Sequence, residues 1–323
     1  MRIGTSFSMH RASFLGLDPR TAFQEVLQLG LGLIRVSAYW DDISIHGYGD
    51  LDWLLDTAGQ ANQPILLTVG MKGMQWPEFY IPKGWDPGAG NAACIGQDAA
   101  LQDAVVEFVR QTVARYRDRS NLVAWQVENE PFNLSGRHRW WIEPSLVSRE
   151  IAAVRELDSR QLVVNTFAHF DFLNDWLSRP HRNLLDLVGP VPEQTALAVI
   201  GAGDVLGLDI YKHIGFQLFG VELVRTASAD LAASAGRWLQ AATQAGKEAW
   251  IIECQAEPWE PTMATYGTPK TLDPPEVEEM YTQLRAAGYT TILLWGCEYW
   301  LWRAGGQDTR WLDTVKSLIA SAG

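Results

Sequence analysis

Eight short runs of apolar and β-branched residues recur along the chain, and each is followed by a stretch with helical periodicity. Their starts are 30, 32, 57, 40, 43, 44 and 42 residues apart, so each interval has room for a crossover helix. Several runs, such as Ile65–Val69, are almost continuously apolar, which is typical of strands buried on both faces of a parallel sheet. The runs comprise residues 2–7, 32–37, 64–69, 121–128, 161–166, 204–210, 248–253 and 290–295.

The fold class follows from this repeat of strand and helix. Asp18 before Pro19 supplies a helix N-cap followed by proline at the first helical position. Further helices are predicted over 97–117, 223–245, 275–287 and 309–322. A doubly wound open sheet is the main alternative, but neither a GxGxxG after the first strand nor a GxxxxGK(S/T) occurs. The pattern predicts an α/β fold, a single (β/α)8 TIM barrel that comprises residues 1–323.

The predicted loops differ in length at the two ends of this barrel. The extended ones follow the third and seventh strands, over residues 70–96 and 254–274. Both leave the carboxyl ends of their strands, where enzymes of this architecture place their active sites. We therefore expect these two βα loops to shape a site above the strands.

Charge and cysteine usage exclude several classes of partner. The net charge of −12, from 38 acidic against 26 basic residues, disfavours nucleic acid and anionic membranes. The longest apolar stretch, 27–40, is interrupted by Arg35 and is too short to span a bilayer. No signal peptide is visible, and three cysteines without paired spacing favour a reducing, cytoplasmic location. The oligomeric state is not readable from the sequence.

Two glutamates stand at the ends of predicted strands. Glu130 follows the fourth strand, in the segment Ala-Trp-Gln-Val-Glu-Asn-Glu-Pro, and Glu253 ends the seventh. Because the carboxyl ends of all strands meet at one end of a closed barrel, both carboxylates can reach one central point. Cleavage of a glycosidic bond needs such a pair, one to protonate the leaving oxygen and one to attack the anomeric carbon or activate water.

The combination of Asn129-Glu130-Pro131 after the fourth strand, Glu253 and Trp295 resembles the clan A glycoside hydrolases, which include the family 5 cellulase-like enzymes. The resemblance implies that Glu130 is the general acid/base and Glu253 the nucleophile of a retaining reaction. It further implies that Asn129 hydrogen-bonds the sugar 2-hydroxyl, and that Trp295 forms the floor of the subsite for the cleaved sugar.

Further positions match by strand. The resemblance implies that Arg35, at the end of the second strand, keeps Glu253 ionised, and that Tyr211, at the end of the sixth, hydrogen-bonds it. Family 5 enzymes commonly have His-x-Tyr on that strand, whereas this chain has Asp209 in the first position. Residues 126–130 are also similar to family 35 β-galactosidases. Four more residues in the loops after strands are candidates for substrate binding: Trp76, His213, Glu298 and Trp300.

Other residues near the strand ends have alternative interpretations. Glu257 is the rival nucleophile, although it lies four residues beyond Glu253, and Glu128 is interpreted as structural. His10 could contact substrate or be structural. The remaining histidines, His46, His138, His169 and His181, lack HxH or HExxH spacing, so neither a metal nor a cofactor is predicted.

Tryptophan is unusually abundant, with 15 residues against 11 Phe and 9 Tyr. Indole rings stack on the apolar faces of sugars and offer an N–H to their polar rims. We expect the surplus indoles to line the end of the barrel that holds Glu130 and Glu253. The nine placed there are Trp40, Trp76, Trp85, Trp140, Trp141, Trp259, Trp295, Trp300 and Trp302.

The sequence therefore predicts a retaining glycoside hydrolase that cleaves β-glycosidic bonds of small carbohydrates in two steps. Two alternatives remain open, a carbohydrate-binding barrel without catalysis and a transglycosylase that uses the same residues. The sugar, its linkage and the choice between exo and endo action also remain open.

Overall fold

Every one of the eight apolar runs forms a strand of one closed parallel barrel, which confirms the predicted architecture. The computed structural model describes residues 1–86, 94–168, 191–227, 231–262 and 265–322. The barrel strands are β1 (Arg2–Ser6), β2 (Leu33–Ser37), β3 (Ile65–Val69), β5 (Leu122–Val127), β7 (Gln161–Ala168), β8 (Val205–Ile210), β11 (Glu248–Gln255) and β12 (Thr291–Trp295). They pair in chain order, and β12 closes the barrel against β1.

Helices cover the outside of the barrel and carry the predicted end signals. Asp18 accepts a hydrogen bond from the backbone of Thr21 at 2.8 Å, and such a cap stabilises a helix by about 1 kcal/mol. The helices in the described ranges are α1 (Met9–Phe14), α2 (Pro19–Leu27), α3 (Trp40–His46), α4 (Gly49–Gln60), α5 (Ala99–Tyr116), α6 (Pro144–Arg155), α7 (Pro192–Val199), α8 (Leu231–Gln244), α9 (Pro274–Ala286), α10 (Cys297–Gly305) and α11 (Arg310–Ala322). None of these helices is both long and apolar enough to cross a membrane.

Within the ranges that the structure describes, four short strands lie outside the barrel, all in connections that follow strand carboxyl ends. They are β4 (Cys94–Ile95), β6 (Trp141–Ile142), β9 (His213–Leu218) and β10 (Val221–Thr226). The helix predicted over 223–245 is wrong in its first part, because β10 pairs antiparallel with β9 in a hairpin. The β-branched residues Val221, Val224 and Thr226 favour a strand there.

The barrel interior is divided into an apolar and a polar layer. Side chains alternate along each strand, and the apolar inward-facing set consists of Leu33, Leu66, Ala124, Val163, Val205, Trp250, Ile252 and Leu293. Two residues further along β2, β5 and β7, the inward positions hold Arg35, Gln126 and Asn165, all fully buried. The polar layer therefore lies at the carboxyl ends of the strands, beneath the long loops.

Candidate active site

Glu253 reaches the barrel interior through an irregularity in β11. Ile251 pairs with Leu208 and Glu253 pairs with Asp209, so the register shifts by one residue between them. Such a bulge turns a side chain to the other face of the sheet. Ile252 already faces the interior, and without the shift Glu253 would point outward toward the helices.

Two donors hold the carboxylate of Glu253. Arg35 donates from Nη1 to Oε1 at 2.6 Å, and the Tyr211 hydroxyl donates to Oε2 at 2.6 Å. Arg35 is fully buried, so its charge acts in a medium that screens it little. Burial, reinforced by the charge of Glu253, raises the pKa of Tyr211 well above its usual value. The phenol therefore keeps its proton and remains a donor.

The loop that carries Glu130 is fixed in an unusual backbone conformation. Glu128 has φ of 60° and Glu130 has φ of 46°, in the left-handed region that residues with side chains seldom occupy. The carboxylate of Glu128 accepts hydrogen bonds from the backbone of Met71 at 2.9 Å and of Lys72 at 2.6 Å. These bonds connect the loops after β3 and β5, so Glu128 is structural, as predicted. Local strain of this kind often accompanies functional sites.

Glu130 lies beside a buried cation. Nζ of Lys72 donates to the backbone oxygen of Glu130 at 2.7 Å and lies 3.7 Å from its Oε2. Burial raises the pKa of Glu130 to about 7, with Lys72 opposing this shift and the charge of Glu253 adding to it. A carboxyl group in this state can give up a proton near neutral pH, as a general acid must.

A buried amide connects the two glutamate-bearing segments. Oδ1 of Asn165 accepts hydrogen bonds from the backbone of Glu130 and from Gln126, both at 2.8 Å. Its Nδ2 donates to Asn129 Oδ1 at 3.0 Å and to Asp209 Oδ2 at 2.6 Å. Asn129 Oδ1 also accepts from Arg35, so its Nδ2 is turned toward the cavity.

Three carboxylates meet at the centre of this network. One oxygen each from Glu130, Asp209 and Glu253 lies within 4.8 Å of the others. Such a group can hold a cation, but Arg35 and Lys72 already place positive charge against Glu253 and Glu130, at 2.6 and 3.7 Å. A metal ion would have to enter against both charges, so the arrangement fits acid–base chemistry better than metal binding.

A cavity of about 530 Å³ opens above the carboxylates, a size common for small-molecule sites. Trp295 lies at its base, while Trp76 and Trp259 are exposed on its walls. Flat indole faces of this kind suit the apolar faces of sugars. Six of the ten residues predicted for the site line the cavity, namely Asn129, Glu130, Tyr211, Glu253, Trp76 and Trp295.

Glu257, the alternative nucleophile, also faces the cavity but is engaged differently from Glu253. Nη2 of Arg11 lies 3.2 and 3.3 Å from its two oxygens, and Trp295 Nε1 donates to it at 3.2 Å. A Cβ atom at Gly296, whose φ is 126°, would lie 2.6 Å from that of Glu257. Glycine is therefore required for the close approach that brings Glu257 and Trp295 together.

Four of the ten predicted residues do not line the cavity: Arg35 lies beneath it against Glu253, and the other three face elsewhere. Trp300 is fully buried and donates to the backbone oxygen of Ala256 at 2.8 Å. Glu298 is buried against the loop after β1, where it accepts from the backbone of Ser8 at 2.5 Å. His213 faces α9, with Nε2 3.0 Å from Glu276. A position in a loop does not reveal the direction of its side chain, and here helix packing sets that direction.

The structure places no other histidine of the described residues in the cavity either. His10 stacks on Tyr39 with ring centroids 4.5 Å apart and does not line the cavity. His169 and His181 lie outside the described residues.

The expectation for tryptophan is correct for only three of nine residues. Trp40 stacks on Phe108 beneath α5, and Trp302 contacts Tyr266 and Tyr299. Much of the surplus indole therefore fills space under the loops and between helices instead of lining the cavity. The six that do not line it are Trp40, Trp85, Trp140, Trp141, Trp300 and Trp302.

Several residues of the site were not anticipated from sequence, among them Asn165, Lys72 and Arg11. Asn165 ends the apolar run Leu162–Val164 of its barrel strand, and that interruption was the available signal. Lys72 lies just beyond the end of β3, yet nothing in the sequence shows that it folds back under Glu130.

No protein-family model matches the chain, and no curated protein matches it. Several solved structures are similar. A variant of GH5_18 from Streptomyces cattleya, in complex with Manβ1-4GlcNAc, is 18% identical, with a TM-score of 0.59 over 91% of this chain and 70% of its own. The exo-β-1,4-mannosidase Op5Man5 from Opitutaceae bacterium strain TAV5 is 12% identical, with a TM-score of 0.60 over 100% of this chain and 60% of its own.

A third similar structure is Gan42B, a GH42 β-galactosidase from G. stearothermophilus. It is 16% identical, with a TM-score of 0.60 over 91% of this chain and 50% of its own. The chain thus spans between 50% and 70% of the length of these three structures. At such identities the likeness establishes a shared fold, the barrel expected from the resemblance to clan A.

Proposed function

We propose that the protein is a retaining β-glycosidase in which Glu253 is the nucleophile and Glu130 the general acid/base. The observation that carries this proposal is the approach of the two carboxylates, whose nearest oxygens lie within 4.8 Å. Retaining enzymes hold these groups about 5–5.5 Å apart, whereas inverting enzymes leave about 6.5–9.5 Å for a water molecule. The glycosidase names of the similar structures support the same class of reaction.

In the first step an oxygen of Glu253 attacks the anomeric carbon while the bond to the leaving group breaks. Glu130 gives its proton to the glycosidic oxygen, so the leaving group departs as a neutral alcohol. Arg35 and Tyr211 orient the attacking carboxylate. The product of this step is a glycosyl ester of Glu253.

In the second step Glu130, now ionised, removes a proton from water as the water oxygen attacks the anomeric carbon. The ester bond breaks and Glu253 leaves as a carboxylate. The sugar is released with its original configuration, because two inversions have occurred. The Asn129 amide, turned toward the cavity, donates to the sugar 2-hydroxyl in both transition states.

The residues that line the cavity favour small carbohydrates as substrates. Trp295 and Trp259 offer stacking surfaces near the carboxylates, and Trp76 offers another at the mouth. Arg11 and Glu257 add a paired charge that can hydrogen-bond several hydroxyl groups of one sugar. We expect gluco-, galacto- or manno-configured β-glycosides to be cleaved, with Manβ1-4GlcNAc included because a similar structure binds it.

The test begins with a panel of aryl β-glycosides that carry glucose, galactose, mannose, fucose or xylose. We expect the protein to hydrolyse at least one of these glycosides with retention of configuration. Nuclear magnetic resonance spectra recorded during the reaction identify the anomer that is released first. Binding of oligosaccharides without turnover of any panel member would instead indicate a carbohydrate-binding barrel. Products longer than the substrate would indicate transglycosylation.

The identity of the nucleophile is tested by trapping. A 2-deoxy-2-fluoro glycoside of the preferred sugar slows the second step and leaves the ester in place. Peptide mass spectrometry is expected to find the label on Glu253. A label on Glu257 would refute the assignment, and Glu257→Gln serves as the matched control that should still be labelled.

A further inference from the structure

Asp209 is a buried carboxylate that the two-glutamate mechanism does not use. It lies on β8, is fully buried, and accepts a hydrogen bond at Oδ2 from Asn165 at 2.6 Å. Its Oδ1 has no hydrogen-bond donor within the described part of the chain. A buried carboxylate oxygen without a donor is costly, so this oxygen requires a proton or a ligand.

The groups around Asp209 show where that proton must come from. One of its oxygens lies within 4.8 Å of oxygens of Glu130 and Glu253. Arg35 on β2 is engaged by Glu253 and Asn129. Tyr211, two residues after Asp209, donates its hydroxyl hydrogen bond to Glu253. Lys72, from the loop after β3, lies against Glu130 and Glu78.

Because the nearby donors among the described residues are engaged elsewhere, a proton held by the carboxyl group of Glu130 can satisfy the unpaired oxygen of Asp209. Two carboxyl groups this close do not both ionise readily, and they bind one proton as a pair.

We infer that Asp209 is a positioning residue that shares one proton with Glu130 and retains it there until the glycosidic oxygen receives it. This inference rests on the proposed function, since Glu130 must act as the acid. Burial, followed by the charges of Glu253 and Glu130, raises the pKa of Asp209 well above its usual value, which agrees with proton sharing.

The proton of the Glu130–Asp209 pair leaves it in the first step. Before the first step Glu253 is negative and the Glu130–Asp209 pair, with one proton, carries one negative charge. After the step Glu253 is a neutral ester, and both members of the pair are ionised. The two adjacent anions that remain on Glu130 and Asp209 favour the return of a proton, so Asp209 makes Glu130 a stronger base toward water in the second step.

The first experiment needs no substrate. Infrared spectra with ¹³C-labelled glutamate and aspartate carboxyl groups should show a carboxylic-acid band that is lost in Glu130→Gln. In Asp209→Asn the titration midpoint of this band should fall by about 1–2 pH units, because a like charge is removed and an amide donor is added. An unchanged midpoint in Asp209→Asn would overturn the inference, whatever the outcome of the activity screen. Asp209→Ser gives the same test should the asparagine variant fail to fold.

The second experiment measures kcat/KM against pH on the best aryl β-glycoside. The alkaline limb, which reports loss of the proton from Glu130, should move to lower pH by a similar amount in Asp209→Asn. Tyr211→Phe is the matched control, since it removes a hydrogen bond to Glu253 without changing the charge beside Glu130, and its alkaline limb should not move. A lower rate in Asp209→Asn with an unmoved limb would show a merely structural role.

Discussion

Glu253 and Glu130 carry the same functional group, but their neighbours prepare them for different roles. Glu253 accepts hydrogen bonds from Arg35 and Tyr211, which favour a charged carboxylate. Glu130 has a cation only at 3.7 Å and a pKa raised by burial to about 7. At the scale of single residues, the environment therefore suits Glu253 to the proposed role of nucleophile and Glu130 to that of acid.

Replacing Glu253 by glutamine should remove the nucleophile while retaining its shape. We expect kcat to fall by roughly 10⁴-fold or more, with the circular dichroism spectrum unchanged. The buried Arg35 loses its counter-charge, so the free energy of unfolding should decrease by up to about 3 kcal/mol. Substantial residual hydrolysis of aryl glycosides would contradict the assignment.

Replacing Glu130 by alanine should affect substrates unequally. Aryl glycosides with good leaving groups need no acid, so they should still glycosylate Glu253, whereas alkyl glycosides should not react. Azide fits the space left by the side chain and attacks the ester without a base. We expect azide to restore turnover and to yield a β-glycosyl azide. If azide leaves the rate unchanged, Glu130 is not the acid/base.

The positions of these glutamates could be predicted because barrel strands present their carboxyl ends at one face. Asn165 and Lys72 could not, since their roles depend on contacts between loops and strands that are distant in sequence. Trp300 was predicted to bind substrate but is fully buried in the core. A tryptophan close to a loop can pack in the core as readily as it can contact a ligand.

At the scale of elements, the barrel strands were predictable because each is a continuous apolar run bounded by turn residues. The β9–β10 hairpin could not be predicted, because the apolar residues of a short segment before a helix fit the helical and the strand periodicity equally well. The bulge in β11 leaves no signal in the sequence, yet it turns Glu253 inward. The proposed catalytic geometry therefore depends on one irregularity in an otherwise regular strand.

The loop between β3 and α5 offers a test of how elements position Glu130. Gly70 has φ of 123°, and a Cβ atom there would lie 2.3 Å from the carboxyl carbon of Glu128. Gly70→Ala should displace Glu128 and thereby the loop that holds Glu130. We expect kcat/KM to fall about 10²-fold and the free energy of unfolding to fall by about 2–4 kcal/mol.

Gly47→Ala is the matched control for this change. Gly47 has φ of 75°, but no atom lies within 4 Å of the added methyl group. With ψ of −170° this backbone conformation is nearly restricted to glycine, so the change should cost about 1–3 kcal/mol of stability and leave kcat/KM unchanged. Equal losses of activity in the two variants would show that strain alone, and not the contact with Glu128, accounts for the effect.

At the scale of the whole molecule, the barrel buries an unusual number of carboxyl groups together. Burial raises the pKa of Glu128, Glu130 and Glu298 to about 7 each. It also raises the pKa of Glu150 and Asp209 well above the usual values. The charge of Glu128 and a hydrogen bond with it contribute to the raised pKa of Glu150, so these two glutamates form a second buried pair.

These groups determine how stability depends on pH. In the unfolded chain they lose their protons near pH 4–4.5, whereas the folded protein holds those of Glu128, Glu130 and Glu298 to about pH 7 and raises the pKa of the other two as well. The folded state therefore binds more protons in this window, and the free energy of unfolding must decrease as pH rises from about 5 to 8. Acidic groups with lowered pKa, such as Asp52 and Glu276, lose their stabilising effect only at lower pH, so they do not offset this decrease.

Calorimetry should accordingly find a melting temperature at least about 5 °C lower at pH 8 than at pH 5.5, at constant ionic strength. Glu150→Gln, which replaces a buried carboxyl by a neutral amide, should raise the melting temperature at pH 8 and reduce its slope with pH. Glu156→Gln is the matched control, because that side chain is exposed and pairs only with Arg110 among the described residues, so the slope should persist. A melting temperature that rises between pH 5.5 and 8 would mean that the buried carboxyl groups ionise without cost, and the proton sharing inferred at Asp209 would lose its physical basis.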